Sequence, residues 1–192
     1  MGNLPTYLSR RAFLVALVCL FAAGIASGRA LEPGKDGLFL TGKGVRVKKI
    51  LFVDVEVYAI SHHMRELPVQ KSRRAVIDAD TDKRFVWRML RDVESEKVRE
   101  TLKEAYERNG YTDQLRLSRA LEAFLGDLKE GTVVTIAYRK DAKTTTINVG
   151  GKTTKIDGEN FMRATWGVWF GKMPDQPRLG DELISNLQRR GE

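Results

Sequence analysis

Cysteine is almost missing from these 192 residues: the single one, Cys19, lies in an apolar run near the N-terminus. One thiol closes no disulfide within the chain, and a mature form beginning after residue 30 would hold no thiol nucleophile and no thiolate metal site. Histidine is nearly as scarce, with only the adjacent His62 and His63. No Cys-x-x-Cys-His occurs, which excludes covalent haem attachment. Repeats and low-complexity linkers are also lacking, so nothing divides the chain after Pro33-Gly34. What is present, 42% hydrophobic and 30% charged residues, suits one globular core held by packing alone.

Acidic residues are absent from the first 30 positions, whose only charges are Arg10, Arg11 and Arg29. The twin arginine stands directly before the apolar run Ala12 to Ile25, and the small residues Ala26, Gly28 and Ala30 follow at signal-peptidase spacing. This pattern predicts an export signal over residues 1–30, of the twin-arginine type, with Val15 where that type commonly carries lysine. The expected location is periplasmic or otherwise exported, and a retained signal would act as a membrane anchor. Removing those three arginines lowers the formal net charge from +8 to +5, so the domain expected over residues 31–192 is mildly basic. Its basic pairs Lys48-Lys49, Arg73-Arg74, Arg139-Lys140 and Arg189-Arg190 are short and interrupted by acids. They read as solvated faces and not as a nucleic-acid footprint, with peripheral contact to anionic lipid headgroups as their other use.

Hydrophobic periodicity places the elements. Lys49 to Ile60 alternates as a half-buried strand, and Phe85 to Leu90 is β-prone. Ser95 reads as the hydroxyl cap of a helix with Val98, Leu102, Ala105 and Tyr106 on its buried stripe, stopped by Asn109-Gly110. Leu117, Leu121, Phe124, Leu125 and Leu128 predict a second helix. Thr132 to Tyr138, Thr144 to Val149 and Lys152 to Ile156 form a strand meander through the Gly150-Gly151 turn. A third helix carries Phe161, Ala164, Thr165, Val168 and Trp169, and a last one Leu179, Leu183, Ile184 and Leu187. Strands, helix pair, strands, helix pair is an α+β order in which helices cover one face of a sheet, with any pocket between the two layers. Gly42-Lys43-Gly44 lacks the context of a phosphate loop and reads as a turn.

Five separated segments in this order resemble one family: Leu40-Thr41-Gly42-Lys43-Gly44-Val45-Arg46, Val53-Asp54-Val55-Glu56-Val57-Tyr58, Asp92 to Glu100, Gly131 to Tyr138, and Phe161 to Gly171. The chain is similar to the chalcone isomerase-like domain in its bacterial form, over residues 37 to 188. The resemblance implies an open-faced sandwich, a large and mainly antiparallel sheet with helices layered on one side. It leaves function open, since the family holds plant enzymes that close a chalcone to a flavanone, fatty-acid binders, haem-associated members and bacterial proteins without an assigned reaction.

The resemblance singles out Arg46, at the position of the enzymes' arginine, as a ligand-binding residue. There a guanidinium would hold a carboxylate or a developing enolate. The other catalytic positions of the plant enzymes fall on Val53 and near Val168, where threonine is replaced by valine, and near Thr101, where they carry asparagine and a tyrosine one and a half turns before it that is missing here. A chalcone cyclase lacking such donors would lose about 3 kcal/mol for each. The expectation is therefore non-catalytic binding of a small amphipathic, fatty-acid-like acid in an apolar cleft with Arg46. Two alternatives stay open. One is an isomerase or intramolecular lyase on another substrate. The other is a haem protein with His62 or His63 as axial ligand, the bland reading of both being solvated histidines at a strand end. No cofactor or metal is otherwise expected. Phe161, Trp166, Trp169 and Phe170 read as core before they read as ligand walls.

Overall fold

Alternation with period two runs through almost every strand that the computed structural model describes, and it fixes which face of the sheet is covered. The described residues are 31–173 and 175–188, so the expected export signal, with Cys19, and the Arg189-Arg190 pair lie outside them. Six strands, β1 Phe39–Ile50, β2 Val53–Met64, β3 Lys83–Met89, β4 Val133–Arg139, β5 Thr144–Val149 and β6 Lys152–Asp157, form one antiparallel sheet in sequence order. In β3 to β5 every second residue is buried: Lys83, Phe85, Trp87 and Met89, then Val134, Ile136 and Tyr138, then Thr145, Ile147 and Val149. The neighbours between them point to the helix-free face, as the two-residue repeat of a strand requires.

Among the described residues five helices cover the other face: α1 Arg73–Asp78, α2 Ser95–Arg108, α3 Gln114–Leu121, α4 Glu159–Phe170 and α5 Leu179–Glu182. The architecture is the expected α+β open-faced sandwich. The central helix α4 is apolar nearly all round, burying Phe161, Met162, Thr165, Trp166, Val168, Trp169 and Phe170. Phe85 lies 4.6 Å from Trp169 and 5.1 Å from Trp166 between ring centroids, and Trp87 lies 5.0 Å from Trp169. Aromatic rings in direct contact fill the layer between sheet and helix, so the four α4 aromatics are core.

The structure corrects several sequence expectations. The strand read across Lys49 to Ile60 is a hairpin that turns at Leu51-Phe52, with β1 unrecognised ahead of it. Ser95 does not cap α2: Glu94 holds the cap position, and the Ser95 amide donates to Asp127 at 3.0 Å. The second predicted helix ends at Leu121 in a short 3-10 turn, and Leu128 pairs with Val93 in an isolated bridge. The last predicted helix is the single turn α5. Arg73-Arg74 opens α1, which Ser72 caps by accepting from the Ala75 amide; Arg74 is exposed as expected, whereas Arg73 is partly buried and paired with Asp181. At the other end of α1 the buried Lys83 donates to the carbonyls of Val76, Ile77 and Ala79 at 2.8, 3.1 and 2.8 Å. Burial pushes its pKa down to about 7, while those carbonyls take the three protons of the ammonium form.

Gly42-Lys43-Gly44 is not a turn but part of β1, and its two glycines receive the C-terminal segment. A Cβ on Gly42 would strike the Glu182 carbonyl oxygen and lie 2.5 Å from the Leu183 carbonyl carbon; one on Gly44 would lie 2.5 Å from Leu179. The chain after α4 therefore crosses β1 where side chains are missing, and the Asn186 amide donates to the Thr41 carbonyl at 2.9 Å.

Candidate functional site

The β1–β2 hairpin contains an irregularity that creates the site. Its register shifts between Arg46 and Val47, so Arg46 pairs with Tyr58 while Val47 pairs with Glu56. The extra residue, Val57, makes this a β-bulge, and bulges re-aim side chains. Arg46 and Tyr58 thus lie side by side on the helix-covered face, beside the C-terminal end of α4. Tyr58 stacks on Trp87 at 4.9 Å, and its hydroxyl accepts a hydrogen bond from the Trp169 indole at 3.1 Å. Burial raises the Tyr58 pKa, opposed by that bond and by the Arg46 charge, so the phenol stays protonated at neutral pH. Its own proton has no acceptor among the described residues.

Arg46 is only 8% exposed. Its guanidinium donates to the Val47 carbonyl at 2.8 Å, to Gln176 Oε1 at 3.3 Å and to Asp175 Oδ2 at 3.2 Å. The last two residues belong to the connection between α4 and α5. Gln176 also accepts from the Val47 amide at 2.9 Å and donates to the Val45 carbonyl at 2.6 Å, so one side-chain amide takes the place of a neighbouring strand along the free edge of β1. Arg46 is therefore strapped, and the apolar cleft expected beside it is not open in this structure. The buried Trp87 indole N–H next to this cluster has no hydrogen-bond partner among the described residues.

A groove of about 640 Å³ does exist, but on the helix-free face, lined by Val45, Ala59, Ser61, His63 and Val86 with Lys43 and Arg88 at its rim. It is not the pocket expected between the layers, and Arg46 does not line it.

The two histidines separate as strand neighbours should, one to each face. His62 is fully buried, not solvated. Its Nδ1 is 2.6 Å from Thr41 Oγ1, and its Nε2 accepts from the Trp166 indole at 2.7 Å. Because an indole can only donate, Nε2 carries the lone pair and Nδ1 the proton, while the Thr41 hydroxyl donates onward to the Leu183 carbonyl at 2.8 Å. Both nitrogens are occupied, which removes His62 as a haem ligand and corrects both sequence readings of it. Burial and the Lys83 charge hold its pKa well below the ordinary value. His63 is half-buried on the open face, with Nε2 3.1 Å from Ser61 Oγ. Partial burial and then Arg84 lower its pKa. Among the described residues no group of three or more acidic, histidine or cysteine side chains could hold a metal ion.

The positions matched to the plant enzymes' remaining catalytic groups are scattered. Val53 stands at the hairpin tip, 63% exposed; Thr101 is on the exposed side of α2; Val168 is buried in α4. The residue that faces Arg46 across the strands is Tyr58, which sequence reasoning missed.

Comparison with known proteins agrees with this architecture. The chain belongs to the chalcone isomerase-like family, whose sequence model matches residues 21–185. Among solved structures, a fatty-acid binding protein of Arabidopsis thaliana superposes with a TM-score of 0.65 at 15% identity, covering 80% of this chain and 90% of that one. At that identity the likeness is one of fold. No curated protein matches the sequence.

Proposed function

We propose that this protein is an exported binder of a small amphipathic carboxylic acid, fatty-acid-like, which it holds by the carboxylate at Arg46 and Tyr58 without turning it over. The observation that carries this reading is the cross-strand pair itself: a buried guanidinium, already engaged with a carboxylate, beside a phenol with a proton to donate. A ligand carboxylate can accept from both donors at once, and charge-assisted bonds of this kind are the strong ones. Tyr58, Trp87 and Trp169, packed on one another, make the surroundings of the pair apolar.

Binding is favoured over catalysis because no group at the site is poised to move a proton. The phenol is kept neutral by burial, the carboxylate of Asp175 is ion-paired, and His62 is locked in the core by two hydrogen bonds. The solved structure of a fatty-acid binder with this fold supports the same ligand class. Export is supported by the twin arginine and apolar run of residues 10–25.

Displacement of a fluorescent fatty acid by octanoate through hexadecanoate tests the reading. Arg46→Gln should weaken binding at least about tenfold, the weight of a charge-assisted bond, and Tyr58→Phe by a few-fold. Equal responses of wild type and Arg46→Gln would remove Arg46 from the site. N-terminal sequencing of the protein recovered from a bacterial host's periplasm tests the export half, where a start before Arg10 would argue against cleavage.

A further inference from the structure

We propose that Asp175 occupies the ligand's place: its carboxylate is the internal competitor that an incoming acid must replace at Arg46, and it thereby sets the site's affinity. This rests on the reading of Arg46 as a carboxylate binder.

Three features of the strap point to exchange. First, the partners are unequal in burial: the Arg46 side chain is 10% exposed and that of Asp175 61%. Asp175 returns to water with almost no desolvation to undo, whereas the guanidinium, left without an acid, would be a buried cation short of its counter-charge. Second, the contact is single. One oxygen of Asp175 meets Arg46 at 3.2 Å, not the two-bond fork that guanidinium and carboxylate form when both are free to align. A ligand carboxylate that adds the Tyr58 hydroxyl gains a donor that Asp175 does not use. Third, the rest of the strap does not depend on Asp175. Gln176 stays tied to the β1 edge through the Val47 amide and the Val45 carbonyl, so the carboxylate can swing out without undocking the connection.

An internal competitor lowers apparent affinity by the fraction of molecules in which the site is self-occupied. An ion pair with one partner largely in solvent is weak, which sets that factor at about two- to fivefold. Asp175 also filters ligands, because an ester or alcohol of the same chain length offers Arg46 no charge to replace the one it gives up.

Dodecanoate binding to the full-length chain, purified with its natural sequence and read by displacement of a fluorescent fatty acid, tests this with three variants. Asp175→Asn should lower the dodecanoate Kd about two- to fivefold. Asp141→Asn, an equal charge change on the exposed β4–β5 turn, should leave it unmoved. Arg46→Gln should abolish the gain in the Asp175→Asn background. If Asp175→Asn binds dodecanoate no tighter than wild type while Arg46→Gln still loses binding, the competitor role is overturned and the Arg46 reading stands. If neither wild type nor Asp175→Asn binds dodecanoate, the underlying reading falls and this inference with it.

Discussion

The stretch of the β1–β2 ladder between its two register shifts is joined at its two ends to the same C-terminal segment in opposite ways. At the Thr41–His62 end the joint is neutral and fully buried, running from the Trp166 indole through His62 and the Thr41 hydroxyl to the Leu183 carbonyl. At the Arg46–Tyr58 end it is charged and borders water, with Asp175 largely exposed. In the first, each group that loses its partner is stranded without solvent, so the bonds stay made. In the second, water can take over the exposed Asp175, and another acid can take its place at Arg46. One end is built to hold and the other to exchange, although both use side chains from the same two strands.

The largest effect should follow from forcing the holding end apart. Gly42→Ala puts a methyl group against the backbone of Glu182 and Leu183, which cannot rotate away. We expect a loss of about 3 kcal/mol in urea unfolding, at the upper end of the range for overpacking. A loss below about 1 kcal/mol would mean that the C-terminal segment is loosely laid on β1, and the contrast between the ends would collapse.

His62→Phe comes next, at about 2 kcal/mol, because it strands the buried Trp166 N–H and removes the donor to Thr41 Oγ1, whose own bond to the Leu183 carbonyl remains. It also carries a pH signature. His62 stays neutral in the fold, but in the unfolded chain it binds a proton as pH falls below about 6.5. The unfolded state is then favoured, so stability drops with falling pH by up to about 1.4 kcal/mol per unit until the depressed folded pKa is reached. His63, lowered by lesser burial and Arg84, adds to that slope in the same direction. Urea midpoints measured from pH 7.5 to 4.5 should show a flatter dependence in His62→Phe than in wild type. Parallel curves would place the acid sensitivity elsewhere.

The strand meander, the helix-covered face and the α4 core were legible because they rest on periodicities repeated over many residues, as in Phe85 to Met89 and Thr144 to Val149. The first hairpin was not. Val53, Val55, Val57 and Ala59 alternate with Asp54 and Glu56, and that rhythm runs back without a break into Leu51, hiding a turn that carries no Gly, Asn or Asp. The bulge had no signal either: counting back from the Leu51-Phe52 turn sets Arg46 opposite Val57, and only the register shift brings Tyr58 there. Arg46 itself was found by resemblance, since an arginine beside Lys48 and Lys49 looks like surface. His62 looked exposed because the residues that bury it, Thr41, Trp166 and Leu183, are far away in sequence.

At the exchanging end the effects should be smaller. Gln176→Ala removes the amide that closes the β1 edge and should cost about 1 to 2 kcal/mol, since it strands the half-buried Val47 amide. Unlike Asp175→Asn, it should also loosen dodecanoate binding, because the strap loses its mooring as well as a contact to Arg46. Unchanged stability and binding together would show that β1 needs no cap there.

The smallest effect belongs to the hairpin tip, beyond the site. Ile50, Leu51, Phe52 and Val53 are all at least half exposed, and Leu51 adopts a left-handed φ of 57°, a conformation that glycine accepts without the steric cost of a Cβ. Its side chain is 86% exposed, so deleting it forfeits almost no packing. Leu51→Gly should therefore stabilise the protein by about 0.5 kcal/mol, the relief at the turn exceeding the added freedom of the unfolded chain. Dodecanoate affinity should not change, because the tip extends past Val47–Glu56 while the site begins at Arg46–Tyr58 on the other side of the bulge. If Leu51→Gly instead weakens binding, strain at the tip is transmitted through the bulge to Arg46, and the exchanging end must be redrawn to include the whole distal hairpin.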